Sequence, residues 1–142
     1  MKQYIVGFLF TEDHKHVALI KKNKPQWQAG LFNGVGGKRE GTEGWQQGMT
    51  REFHEEAGVL IPADGWEHTV TLFNDWFELR VFRAFSDLAH GVRTMEEEEE
   101  VSLVSMTELP TLPMVPNLRW LIPLQLDQGL HFPLEPFRDG RN

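Results

Sequence analysis

Three glutamates, Glu52, Glu55 and Glu56, lie in a short acidic and glycine-rich stretch of the sequence, GKREGTEGWQQGMTREFHEEAGV. On a helix that advances about 100° per residue, they share an arc of roughly 100°. Like charges so placed destabilise a helix by about 0.2 to 0.5 kcal/mol per pair. A bound divalent cation would make the same cluster stabilising. Mg²⁺ prefers carboxylate, carbonyl and water oxygens. The cluster therefore indicates either a metal site or, since surface glutamate is common, a solvated helix face.

The acids need a helix to hold them together, and the sequence predicts one over residues 43–57. Thr42 is the expected N-cap, and Gly58 is the expected C-terminal stop. Apolar residues recur at four-residue intervals on an adjoining stripe, so the helix can bury one side and keep the acids at the edge of the core. The stripe consists of Trp45, Met49, Phe53 and Ala57.

Runs of β-branched and aromatic residues predict the strands of a sheet. These runs are residues 4–10, 17–20, 68–73, 76–85 and 101–104, with a hairpin turn expected at Asn74 and Asp75. The segment LFNGVGGK, residues 31–38, mixes apolar residues with three glycines. It predicts a loop whose backbone approaches another group closely or adopts positive φ.

The C-terminal part of the chain predicts one more helix and an irregular tail. Helical spacing of leucine and isoleucine begins at Leu118 and continues toward Gly129, with Pro123 as a candidate kink. The tail FPLEPFRDGRN is expected to be irregular. The apolar run near the N-terminus is too short for a signal sequence or a membrane span, and it is interpreted as a strand.

Composition limits the classes of function. The chain has 142 residues, which fits one domain, and a formal net charge of −7, which argues against binding to a nucleic-acid polymer. It contains no cysteine, so disulfides and thiolate metal sites are excluded, as is typical of a reducing cytosol. We therefore expect a cytoplasmic protein with no membrane partner. The sequence does not indicate an oligomeric state.

The acidic stretch also matches a longer pattern. It has Gly37, five residues, Glu43, seven residues, and then the run REFHEEAGV at 51–59. This pattern resembles the complete Nudix box of the Nudix hydrolase family. The resemblance implies a Nudix α/β/α sandwich with a mixed β-sheet, in which the box forms a loop–helix–loop, as a single domain over residues 1–142. It also implies cleavage of a nucleoside diphosphate linked to another group, with bound Mg²⁺ or Mn²⁺ and an attacking water.

The resemblance implies roles for individual residues. The residues that it places at the metal are Glu52, Glu55, Glu56 and, through a loop carbonyl, Gly36 or Gly37. Arg51 and Glu43 would orient this group. Lys38 lies where a cation could meet phosphate oxygens, although an exposed loop lysine is an equal alternative.

A catalytic or metal-binding glutamate is expected in the run Glu96 to Glu100. Glu98 is favoured, followed by Glu97 or Glu99. The alternative is a solvated acidic loop with no catalytic role.

Two further segments bear on the substrate, because LFNGVGGK and MVPNLRWLIPL resemble segments of MutT-type nucleoside triphosphatases. The resemblance assigns Asn33 and Asn117 to the base edge, where an amide can both donate and accept hydrogen bonds. Aromatic side chains could stack on the base or pack in the core. These are Trp27, Phe32, Trp76 and Trp120.

The resulting hypothesis is a Mg²⁺-dependent pyrophosphohydrolase that cleaves nucleoside triphosphates, oxidised or non-standard purine deoxynucleotides included. The products would be a nucleoside monophosphate and pyrophosphate. An alternative substrate is another nucleoside diphosphate conjugate, such as ADP-ribose, a nucleotide sugar or a capped nucleotide. A non-enzymatic alternative is a nucleotide sensor on the same fold.

Overall fold

The computed structural model describes residues 1–138. Within them the strands are β1 (Lys2–Phe10), β2 (His16–Lys22), β3 (Leu31–Asn33), β4 (Val35–Lys38), β5 (Glu67–Phe73), β6 (Phe77–Phe85), β7 (Glu99–Ser105) and β8 (Phe137–Arg138). The α-helices are α1 (Trp45–Ala57), between β4 and β5, and α2 (Leu118–Gln125), between β7 and β8. All five predicted strands and both predicted helices are present, with bounds that differ from the expected ones by a few residues.

The strands form one mixed sheet. Its order is β3-β2-β1-β6-β5-β8, while β4 pairs with β1 and β7 pairs with β2. β1 and β6 are parallel along their whole length, whereas β1 and β4 are antiparallel. The expected hairpin turn joins β5 to β6, since the N–H of Asn74 donates to the carbonyl of Phe77 at 3.0 Å.

The two helices cover opposite faces of this sheet. Alternate residues of β1 point to the two sides, as strand geometry requires. Ile5 and Leu9 pack with Met49 and Phe53 of α1, which confirms the predicted apolar stripe. On the other side, residues such as Phe8 pack with α2. The fold is therefore the expected α/β/α sandwich with a mixed sheet.

The start of α1 differs from the prediction, because the helix begins at Trp45 and not at residue 43. Gly44 is the N-cap, and its N–H donates to Oε1 of Gln47 at 2.9 Å. Thr42 is therefore not the cap. Glu43 stays outside the helix, where its carboxylate accepts a hydrogen bond from the N–H of Glu40. The C-terminal stop at Gly58 is correct, with φ of 75°.

Residues 31–38 form two strands and not the expected loop. The expectation of close backbone approach is correct: a Cβ at Gly36 would lie 2.0 Å from the carbonyl oxygen of Ile5. The other alternative, positive φ, does not apply to this segment, because within residues 1–138 the glycines with positive φ are Gly30, Gly41 and Gly58. Glycine is needed in β4 for space, not for an unusual backbone conformation.

The C-terminal region also departs from the prediction. Helix α2 contains Pro123 and ends at Gln125, short of Gly129. A proline has no N–H to donate to the preceding turn, which weakens the continuation of a helix. Two tail residues form β8, parallel to β5, and are not irregular. Residues 139–142 of the predicted tail lie outside the described residues. In residues 1–138, no helix has both the length and the apolar character required to span a membrane.

Candidate active site

Arg51 connects the loop before α1 to the acidic face of the helix. Its Nε and Nη2 donate to the two carboxylate oxygens of Glu43 at 3.0 and 2.8 Å. Its Nη2 also donates to the carbonyl of Lys38 at 3.1 Å, and its Nη1 donates to Glu52 at 2.9 Å and Glu55 at 3.3 Å. The hydrogen bond from Arg51 lowers the pKa of Glu43. The loop and the acidic face are therefore held in one arrangement by a single guanidinium.

Glu52 is the most deeply placed of the three predicted acids. It is buried, and a Cβ at Gly37 would lie only 2.6 Å from its Oε2 atom. Burial raises the pKa of Glu52, while the hydrogen bond and charge of Arg51 act in the opposite direction. The absence of a side chain at position 37 is thus what allows the carboxylate to lie against β4.

Glu56 has a buried carboxylate oxygen, Oε2, with no hydrogen-bond partner. Burial raises the pKa of Glu56 to about 8, the charge of Lys22 lowers it in part, and Glu99, Glu52 and Glu96 add to the rise. A buried acceptor without a partner is uncommon in folded proteins and calls for an explanation such as an ion or a water molecule. Glu55 differs, because its side chain is 56% exposed.

Two neighbouring glutamates of the run at residues 96–100, Glu98 and Glu99, pair with different lysines at the start of β7. Glu98 points toward the β2–β3 connection, where its carboxylate lies 3.2 Å from Nζ of Lys24. Glu99 pairs with Lys22 across the β2–β7 ladder, and its carboxylate lies 3.9 Å from Nζ of Lys22. The charges of Glu99 and Glu96 both raise the pKa of Glu56, whereas Glu98 is not among the groups that mainly shift it.

In the described part of the chain, no group of three or more acidic or histidine side chains is already arranged to hold a metal ion. Two of the helix carboxylates, those of Glu52 and Glu55, are instead hydrogen-bonded by Arg51. The donor set nevertheless fits a hard divalent cation. It offers three carboxylates on one helix face, an unpartnered buried oxygen on Glu56, and a backbone at Gly37 that leaves room beside Glu52.

The predicted base-reading residues lie near the other helix. The N–H of Phe32 donates to the carbonyl of Pro113 at 2.9 Å, and the N–H of Val115 donates to the carbonyl of Phe32 at 3.0 Å. These bonds join β3 to the segment that leads into α2. Asn117, at the start of α2, is 9% exposed, and its buried Oδ1 atom has no hydrogen-bond partner.

The amide of Asn33 is already engaged. Its Oδ1 accepts a hydrogen bond from the N–H of Gly34 at 2.8 Å, and its Nδ2 donates to Oε1 of the buried Gln28 at 3.2 Å. Sequence reasoning missed Gln28, which no spacing rule indicates, because the contact depends on how the β2–β3 connection folds. Lys22 was missed for a similar reason, since its pairing with Glu99 joins residues far apart in the chain.

The candidate aromatic residues do not share one location. Trp27, Trp76 and Trp120 are 65%, 64% and 44% exposed, so core packing is the wrong interpretation for these three. Phe32 is partly buried and packs against the α2 side of the core, where Nζ of Lys21 lies 5.9 Å from its ring centroid. Lys38 is exposed, and its backbone carbonyl is the part that contacts Arg51.

The family model of the NUDIX domain matches residues 1–125 of the chain. The chain belongs to the Nudix hydrolase family. Nudix hydrolases act on phosphorus-containing anhydrides and generally use divalent metals. No curated protein matches this Nudix hydrolase significantly in sequence.

Solved structures share the Nudix fold of this chain. The mutator MutT protein from Bacillus halodurans is 20% identical, with a TM-score of 0.72 over 97% of this chain and 90% of its own. The NUDIX domain of Shewanella oneidensis NrtR, complexed with ADP-ribose, is 18% identical, with a TM-score of 0.76 over 90% and 88%. The MutT Nudix hydrolase from Burkholderia pseudomallei is 19% identical, with a TM-score of 0.67 over 87% and 96%. At these identities the likeness concerns the fold.

Proposed function

We propose that this Nudix hydrolase is a Mg²⁺-dependent pyrophosphohydrolase that converts nucleoside triphosphates into a nucleoside monophosphate and pyrophosphate, acting as a single domain over residues 1–142. The observation that carries the proposal is the buried Oε2 atom of Glu56, which has no hydrogen-bond partner and lies on the helix face of Glu52 and Glu55. Carboxylate oxygens on one face, one of them without a partner, can bind a divalent cation. A bound cation can in turn bind and neutralise the phosphates of a polyphosphate substrate.

The residues that would hold the metal are Glu52, Glu55 and Glu56, with a backbone carbonyl from Gly36 or Gly37. Mn²⁺ is the expected substitute for Mg²⁺, because both favour oxygen ligands. When bound, the cation would offset phosphate charge and acidify a coordinated water.

The contacts of the other polar residues of the site suggest a role for each. Arg51 holds Glu43, Glu52 and the carbonyl of Lys38 in register, so it positions the acids and does not touch the substrate. Glu99, whose charge acts on Glu56 and which pairs with Lys22, is assigned the role of accepting a proton from the attacking water. Glu98, the residue favoured from the sequence, is instead paired with Lys24. Lys22 lies beside Glu99 and can meet a phosphate oxygen.

Base recognition is assigned to the α2 side of the sheet. The buried Oδ1 of Asn117 lacks a partner, so it can accept a hydrogen bond from a base edge. Asn33 would shape this pocket together with Gln28, and Phe32 and Trp120 offer faces for a base. The resemblance of the segments LFNGVGGK and MVPNLRWLIPL to those of MutT-type nucleoside triphosphatases supports a triphosphate substrate, oxidised or non-standard purines included.

A second candidate is hydrolysis of another nucleoside diphosphate conjugate, such as ADP-ribose. It is favoured by the similar fold of the NrtR NUDIX domain, whose structure contains ADP-ribose. The same carboxylate chemistry would serve both substrates, so the difference lies in what the protein binds beyond the cleaved bond.

A panel of substrates with Mg²⁺ tests the proposal. We expect the highest kcat/KM for a nucleoside triphosphate, with pyrophosphate as a product, and in ¹⁸O-labelled water we expect the label on a phosphorus of one product. ADP-ribose cleaved far faster than every triphosphate would favour the second candidate instead.

The variant Glu56→Gln tests the site itself. It should lower kcat by at least about a hundredfold, because the loss of a metal ligand removes charge stabilisation in the transition state. Glu108→Gln, an exposed glutamate at the start of a turn after β7, is the matched control and should keep wild-type activity. Full activity in Glu56→Gln would contradict the assignment.

A further inference from the structure

A cleft of about 470 Å³ opens at the N-terminal end of β1, where β4 ends and the β5–β6 turn lies. Lys2, Lys38, Arg39, Asp75 and Trp76 are among the residues that line it. Its volume is within the range of small-molecule pockets, about 300 to 1,000 Å³. The α1 acids are not part of its lining, so within the described chain it is a separate feature of the surface.

The cleft concentrates positive charge in an acidic protein. The whole chain has a formal charge of −7, yet the ammonium groups of Lys2 and Lys38 form no ion pair with any residue from 1 to 138. Asp75 is the one carboxylate in the described lining, and it is bonded to Arg138 at 2.6 Å. Grouped unpaired cations beside a concave surface attract anions.

Arg39 supplies a donor that is already held in place. Its Nη1 donates to Oε1 of Gln3 at 2.8 Å, and its guanidinium carbon lies 4.9 Å from the ring centroid of Trp45. Its Nε is buried and has no hydrogen-bond partner. Because this Nε is buried, the terminal N–H groups of the fixed guanidinium are the ones that a phosphate oxygen would meet.

The cleft begins next to the candidate metal site. Lys38 follows Gly37, whose backbone lies against Glu52, and the carbonyl of Lys38 accepts a hydrogen bond from Arg51 at 3.1 Å. Successive residues of a strand point to opposite faces, so the side chain of Lys38 leaves β4 on the side away from Glu52. A substrate that crosses this strand can therefore reach the acids with one part and the cations with another.

We propose that this cleft binds the terminal phosphates of the substrate, with Lys2, Lys38 and Arg39 as its phosphate ligands. The inference rests on the proposed function, since it identifies the end of the triphosphate that lies beyond the cleaved bond. It also selects a substrate class: a triphosphate ends in charged phosphate, whereas ADP-ribose ends in an uncharged sugar.

Calorimetric titration of the metal-free protein with inorganic tripolyphosphate tests the cleft without any hydrolysis. Without metal the α1 carboxylates repel anions, so the cations of the cleft should dominate binding. Lys2→Gln should weaken the affinity roughly tenfold, the loss expected for one charged hydrogen bond. Lys15→Gln, an exposed lysine in the β1–β2 turn, is the matched control and should bind as wild type does. Asp75→Asn should tighten binding, because it removes the acid from the lining.

Steady-state kinetics then tests whether the cleft binds the phosphates of a substrate or only a free polyphosphate anion. Lys2→Gln should lower kcat/KM for a triphosphate about tenfold and leave kcat/KM for ADP-ribose unchanged. Loss of tripolyphosphate binding with wild-type triphosphate kinetics would overturn the proposal, because the cleft would then serve the free anion.

Wild-type affinity for tripolyphosphate in both Lys2→Gln and Lys38→Gln would also overturn it, even if triphosphates are hydrolysed. If the wild-type protein cleaves no triphosphate, the proposed function fails separately, and the calorimetry still decides whether the cleft holds phosphate.

Discussion

The carboxylate of Glu52 lies against the backbone of Gly37, so closely that a Cβ at position 37 would stand 2.6 Å from Oε2. The atoms that this Cβ would contact are the carboxylate of Glu52, at the flexible end of a side chain that can change rotamer. At the neighbouring Gly36, by contrast, a Cβ would stand 2.0 Å from the backbone carbonyl oxygen of Ile5, which cannot. Glycine at position 37 thus leaves room for the Glu52 carboxylate, whereas glycine at position 36 leaves room for the neighbouring strand backbone.

The first prediction uses this contrast. Gly37→Ala should fold, with a stability loss of about 1 to 2 kcal/mol, but it should displace Glu52 and lower kcat by at least tenfold. Gly36→Ala should lose several kcal/mol of stability, because two strands would have to separate. Urea denaturation and activity assays measure both effects, with Gly91→Ala as a control, since its Cβ would make an ordinary 3.7 Å contact with Val59. An active Gly37→Ala enzyme would show that Glu52 can move without consequence.

The second prediction concerns the two-pronged ion pair between Arg51 and Glu43. Both side chains are largely shielded, at 23% and 19% exposure, so the pair should contribute more than an exposed one. A double-mutant cycle with Arg51→Gln and Glu43→Gln should give a coupling of about 1 to 2 kcal/mol in the free energy of unfolding. Arg51→Lys should recover little of it, because an ammonium cannot span both oxygens. A coupling near zero would mean that other contacts hold the loop to α1.

The third prediction distinguishes the two neighbouring glutamates of the acidic run. Glu99→Gln should reduce kcat by about a hundredfold or more, because Glu99 pairs with Lys22 and its charge acts on Glu56. Glu98→Gln should change kcat less than threefold, because its partner is the exposed Lys24. Kinetics of the two variants under the same metal concentration checks this. The reverse ranking would return the role to Glu98.

The fourth prediction concerns pH and stability through His68 on β5. Burial lowers the pKa of His68 and the charge of Arg80 lowers it further, while a backbone hydrogen bond with Val70 and the charge of Glu78 act in the opposite direction. Since the unfolded chain then binds the proton more tightly, folding stability should fall as pH drops below about 6.5, the ordinary value for histidine. An NMR titration should place the His68 pKa below that value. His68→Gln should weaken the pH dependence of urea denaturation between pH 7 and 5, and an unchanged dependence would assign it to other groups.

Local features of the site could be predicted from the sequence because they depend on residues close together in the chain. Helical spacing predicts the stripe of Met49 and Phe53 and the clustered acids. The stop at Gly58 is predicted because glycine readily adopts the positive φ that ends a helix. The N-cap did not follow, because Thr42 has the usual cap chemistry, whereas the chain uses the backbone of Gly44 and the side chain of Gln47.

Contacts between distant segments could not be read from the sequence. The choice among the acidic residues at 96–100 depends on the register of β7 against β2, which places Lys22 opposite Glu99. A shift of one residue would have turned the neighbouring glutamate inward. Likewise, helical spacing places Trp45 in the helix stripe, but it does not predict that the guanidinium carbon of Arg80 lies 4.0 Å from its ring centroid, because Arg80 is on β6, distant in sequence.

The sheet has a further consequence, for how this enzyme can evolve. The acids lie on α1 and Asn117 is the N-cap of α2, and these two helices pack in separate hydrophobic clusters on opposite faces of the sheet. Substitutions in such separate regions usually have additive effects. With base recognition at Asn117 as proposed, descendants of this chain could therefore acquire a new base preference by substitutions on the α2 face, one at a time, while the acids of α1 stay unchanged.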